Sequence, residues 1–107
     1  MQITLRLNGE ERTFAQDFIS GRMFRRAIEM QKHFKKGGEN LDVSTLDEMV
    51  GFVVESYGRQ FTIDEFYDGI QSDKLISTII QTIDEVIGRS AKALGADKND
   101  PNQAPAQ

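Results

Sequence analysis

The sequence predicts an α+β fold that is mainly α-helical: an N-terminal β-hairpin, three main helices and one short helix, then a disordered C-terminal tail. Three observations carry that expectation. Ile3, Leu5 and Leu7 alternate with polar residues up to an Asn8-Gly9 pair, three later segments repeat apolar residues at helical spacing, and all pattern stops after Gly88. At 107 residues the chain has the size of one domain, able to bury roughly 60 to 65% of its unfolded surface in a single core. We place that domain at residues 1–88, with a flexible tail at 89–107.

Residues 2 to 14 read as the hairpin. Asn8-Gly9 supplies the φ > 0 residues of a tight turn, and Arg12-Thr13-Phe14 can return as the second strand. A two-residue turn would pair Leu7 with Glu10. A four-residue loop would pair Leu5 with Phe14 and keep the apolar face intact, and it is the register expected here.

Ser20 can cap a helix running to about Lys36. At ~100° per residue, Met23, Phe24, Ala27, Ile28, Met30 and Phe34 share one side of it, and Arg22, Arg25, Arg26, Glu29, Lys32, His33 and Lys36 the other. Gly37-Gly38 then ends it. Thr45 with Glu48 fits a capping box for a second helix, striped by Leu46, Met49, Val50, Val53, Val54 and Tyr57 and closed by Gly58. Phe52 lies ~60° outside that stripe, so it packs at the core edge or is exposed as a contact residue.

The connector Gly58 to Ile70, GRQFTIDEFYDGI, holds a second capping box, Thr62 with Glu65. It predicts a short helix from Ile63 to about Asp68 that carries Phe66 and Tyr67 toward the core, with Asp68-Gly69 turning the chain. Ser72 or Asp73 then starts the last helix, striped by Leu75, Ile76, Ile79, Ile80, Ile83, Val86 and Ile87 opposite Lys74, Gln81, Asp84 and Glu85. The final ALGADKNDPNQAPAQ has both prolines and few large apolar groups to offset its ordering entropy.

The inventory for chemistry is thin. With no cysteine and one histidine, thiolate chemistry, disulfides and multi-histidine metal sites are excluded. Asp64 to Gly69 departs from the calcium-loop pattern, no carboxylate spacing singles out an acid-base pair, and no glycine-rich loop opens a helix to cradle phosphate. No enzyme activity, cofactor or metal is expected. No apolar run reaches the ~20 residues of a membrane span, and the N-terminus lacks the order of a signal peptide.

The net charge of -4 is unevenly spread: residues 22–36 carry +5 and residues 37–87 carry -9. The asymmetry suits charged partners, self-association between unlike faces, or pairing of the two regions inside one domain. Nucleic acid is disfavoured, because the long acidic segment repels phosphate. Candidate protein-binding residues are Phe52, Phe61, Phe66, Tyr67, Arg22, Arg25 and Arg26.

The order of an N-G hairpin, TFAQDFISGR leading into a basic helix, an LDEMVGFVVESYG helix, QFTIDEFYDGI and an LISTIIQTI helix resembles the tail assembly chaperones of long-tailed phages and prophages of Gram-positive bacteria. Its most specific parts are Asp17 to Arg22 and Phe61 to Ile70. The resemblance implies a non-enzymatic factor of the host cytoplasm, absent from the mature virion. Such a factor binds the tape measure protein, keeps that long helical chain soluble and helps tail tube subunits polymerise around it. The family often makes a longer product by a ribosomal frameshift, for which the tail offers an extension point: Asp100-Pro101-Asn102 and Ala93-Leu94-Gly95 both permit slippery codons. The reading set against it is a small regulatory adaptor, an antitoxin or transcription-related module using the basic helix 22–36.

Overall fold

The computed structural model describes residues 1–35 and 41–95. Strands β1 (Gln2–Leu7) and β2 (Glu10–Ala15) are followed by helices α1 (Gly21–Lys35), α2 (Val43–Ser56), α3 (Ile63–Gly69) and α4 (Ser72–Gly95). The α+β reading with one N-terminal hairpin, three main helices and one short helix is what the chain adopts.

The hairpin register corrects the expected one. Asn8 and Gly9 both take left-handed dihedrals, φ 55° and 79°, so the turn has two residues and pairs Leu7 with Glu10 and Ile3 with Phe14. The twist of such a turn matches that of the strands it joins. Nor does the core need two apolar strands. β1 alone buries Ile3, Leu5 and Leu7, while β2 buries only Phe14, whose ring lies 5.5 Å from the Arg12 guanidinium.

α1 starts as expected, with the Met23 N–H donating to the Ser20 hydroxyl at 3.3 Å. Met23, Ala27 and Met30 are buried, but Ile28, read from the sequence as core-facing, is exposed. The Gly37-Gly38 stop lies outside the described residues.

The start of α2 differs too. Asp42 is its cap, in extended conformation, accepting the Thr45 N–H at 2.8 Å. Aspartate caps at least as well as threonine, and the helix gains three residues by starting earlier. The Thr45 backbone bond holds the Asp42 carboxyl below its ordinary 3.8, so the cap's contribution is full above that value and fades as pH falls through the lower folded one. At the other end Arg59 N–H bonds Val54 C=O and Gly58 N–H bonds Glu55 C=O, both at 3.0 Å. That is a Schellman closure, with Gly58 left-handed at φ 68°.

α3 carries both bonds of the expected box: Glu65 N–H to the Thr62 hydroxyl at 3.0 Å, and Thr62 N–H to the Glu65 carboxylate at 2.9 Å. Gly69 is needed for a close approach, since a Cβ there would meet the Arg6 carbonyl oxygen at 2.9 Å and the Leu5 Cβ at 3.0 Å. α3 thus lies against β1. α4 buries Ile79, Ile83 and Val86 and corrects the boundary drawn at Gly88, because it continues to Gly95. One interior glycine costs about 1 kcal/mol, and Arg89 beyond it is anchored on the Asp17 carbonyl at 2.6 Å. Residues 89–95 of the stretch expected as tail thus belong to α4, and residues 96–107 lie outside the described residues.

Gly69 and Gly88, both helical, give opposite expectations. Gly69→Ala should lower the unfolding free energy by about 1–3 kcal/mol through backbone overlap, whereas Gly88→Ala, with open space around it, should raise it by about 1 kcal/mol. Urea denaturation of both variants checks this, and a stabilised Gly69→Ala would show that the approach of α3 to β1 is not tight.

Candidate protein-binding surface

The aromatic residues of the connector converge on one point. Phe61 stands 5.0 Å from Phe14, 5.6 Å from Tyr57 and 6.3 Å from Phe66 between ring centroids, and Phe66 meets Tyr67 at 6.4 Å. These separations suit attractive aromatic packing. Phe52 and Phe66 are fully buried and Phe61 nearly so. Of the four aromatic candidates only Tyr67 reaches the surface, half-buried, its hydroxyl donating to Asp47 of α2 at 2.5 Å. The 60° offset of Phe52 is filled by other core elements instead of solvent, a tertiary fact that the wheel of one helix does not contain.

The basic helix is divided in its roles. Arg26 pairs with Glu55 of α2, and Glu55 also holds Arg59 at 3.4 Å. His33 lies 3.5 Å from Glu48, also on α2. Part of the charge asymmetry is thus neutralised between α1 and α2. Arg22, Arg25 and Lys32 are exposed, and among the described residues no acid pairs with them.

Two exposed apolar side chains escaped the sequence reading: Phe18, 77% exposed, and Val43, 72%. Neither belongs to a periodic stripe. Phe18 lies in the lead-in between β2 and the Ser20 cap, where only Ile19 turns inward. Its carbonyl accepts from the Gln16 amide at 2.9 Å, and Gln60, near the start of the connector, bonds the Ala15 carbonyl at 2.7 Å. The two stretches on which the resemblance rests are therefore fastened side by side.

A cavity of about 220 Å³ opens between β1 and α4, lined by Thr4, Tyr57, Lys74, Thr78, Gln81 and Glu85 among others. Of its lining hydroxyls, that of Thr82 donates to the Thr78 carbonyl at 2.9 Å. Among the described residues no three acidic or histidine side chains come together as a metal site, and no helix is long and apolar enough to cross a membrane.

A family model described as phage tail chaperone protein matches residues 1–104. The chain belongs to that family. No curated protein and no solved structure matches it. Membership of the family implies interaction with tail proteins, and in this member the aromatic cluster of Phe52, Phe61 and Phe66 is buried in the core.

Both tyrosines of this tail chaperone are shifted. Burial, then the Glu85 charge, pushes Tyr57 up from 10.0 to about 12, and burial followed by the Asp47 bond does the same for Tyr67. A raised folded value means that the stability tied to the neutral phenols is complete below pH 10 and is lost as pH rises through about 12. Tyrosinate absorbance should therefore stay low at pH 10 and rise together with loss of helical circular dichroism near pH 12. Ionisation of either tyrosine near pH 10 with the fold intact would contradict its placement.

Proposed function

We propose that this tail chaperone binds the tape measure protein in the host cytoplasm, keeps that long helical chain soluble, assists tail tube subunits in polymerising around it, and departs before the virion is complete. The observation that carries the reading is the family match over residues 1–104. The surface is in keeping with it. Phe18 and Arg22 lie four residues apart at the head of α1, both exposed, offering one apolar and one cationic contact to an amphipathic helix. The net charge of -4 favours solubility of a complex that shields apolar helix faces.

Coexpression with the tape measure protein encoded alongside should recover a soluble complex, and a tape measure that stays insoluble and unretained would overturn the reading. Phe18→Asp and Arg22→Glu should each weaken the complex about tenfold or more with unchanged circular dichroism. Phe52→Asp and Phe66→Asp place a carboxylate in the core and should instead abolish the helical signal.

A further inference from the structure

The seam between α1 and α4 carries opposite charges along its two edges. The Arg89 side chain holds the Asp17 carbonyl, which puts the start of α1 beside the far end of α4. With Met23, Ala27 and Met30 sharing the core with Val86, Ile83 and Ile79, the two helices run antiparallel. Arg26 and His33 mark the flank of α1 turned to α2. On its solvent side Arg25 and Lys32 form a crest opposite the buried face, with Ile28 beside them toward α4, the three within an arc of roughly 60°. The corresponding rim of α4 carries Asp73, Ile80 and Asp84 within roughly 40°, on the side away from the cavity-lining Lys74, Thr78, Gln81 and Glu85.

Ile28 and Ile80 are each 37% exposed, and Phe24, Ile76 and Ile87 between them are half-buried. The four charges are exposed, and among the described residues none has a hydrogen-bond or ion-pair partner. The result is an apolar strip with a cationic border on α1 and an anionic border on α4.

We infer that this seam is a self-complementary interface that takes a second copy of the chain. A two-fold axis along the seam lays α1 of one copy over α4 of the other, so Arg25 and Lys32 face Asp73 and Asp84 of the second copy twice over, with Ile28 against Ile80 at the centre. Two-fold contacts are closed, so the assembly stops at a dimer. A helix of 15 residues is ~22 Å long, and two such helices side by side, each ~10 Å wide, cover an area at the low end for specific complexes. The dimer is therefore weak and dissociates on dilution and in high salt.

The inference stands independently of the tape measure reading. Sedimentation of the full chain at low salt should show a monomer at low micromolar concentration passing to a dimer at several hundred micromolar. The double variant Arg25→Asp/Lys32→Glu and the double variant Asp73→Lys/Asp84→Arg should each remain monomeric at the higher concentration with unchanged circular dichroism. Mixed together they should pair, because every reversed edge then meets its opposite. A wild-type chain that is monomeric throughout, variants that still dimerise, or folded variants that fail to pair on mixing would each overturn the interface. If the wild type is monomeric yet the same reversals release the tape measure protein, the seam belongs to that partner and the dimer is wrong while the chaperone reading survives.

Discussion

Phe61 is where three separate stretches of the chain meet: the second strand through Phe14, the end of α2 through Tyr57, and α3 through Phe66. A two-stranded hairpin is marginally stable in water alone, so this one persists because its inner face has something to lie on. The connector supplies it. The Schellman turn at Gly58 reverses the chain out of α2, and the Thr62 box starts α3 only four residues later. Between those two backbone devices the side chain of Phe61 points inward, and α3 is pressed onto β1 closely enough that Gly69 has no room for a Cβ.

With Phe14, Phe52, Phe61 and Phe66 buried in this way, the most exposed apolar side chains lie outside the connector, which itself exposes Ile63 at 40%. Phe18 and Val43 stand clear, and Ile28 and Ile80 rim the seam of α1 and α4. Charge follows the same division. On the face of α1 toward α2, Glu55 offsets Arg26 and Glu48 stands beside His33, while the face toward solvent keeps Arg22, Arg25 and Lys32 open. A rigid core with a thin set of accessible contacts suits a protein that must engage others and let them go. Affinity then rests on a few residues whose loss of contact costs the fold nothing.

In this member of the phage tail chaperone family, polar side chains near the core are held by structural bonds. The buried Ser56 hydroxyl, for example, is committed to the Phe52 carbonyl at 2.8 Å, and His33 stands beside a glutamate at the surface. The cavity beside β1 is lined mainly by polar residues and opens where α4 passes the strand.

Local signals determined the element list. Asn8-Gly9, Ser20, Thr62 with Glu65 and Gly58 act through backbone bonds within a few residues, and each does in the structure what its spacing predicts. Where local signals competed, the sequence pointed to the wrong one: Thr45 is expected to cap α2 but Asp42 does, and the four-residue hairpin register is expected but the two-residue one forms. The left-handed Asn8-Gly9 turn sets the register and the Asp42 carboxylate sets the cap, while β1 supplies most of the strand residues in the core. Tertiary structure also decided which side chains are surface. Phe52 lies outside its helix stripe yet inside the core, since α2 is covered by more than one neighbour, and Ile28 lies within its stripe yet at the surface, since α4 covers only part of that face. A helical wheel records direction around one axis, whereas burial depends on what stands opposite, and only the assembled fold supplies that.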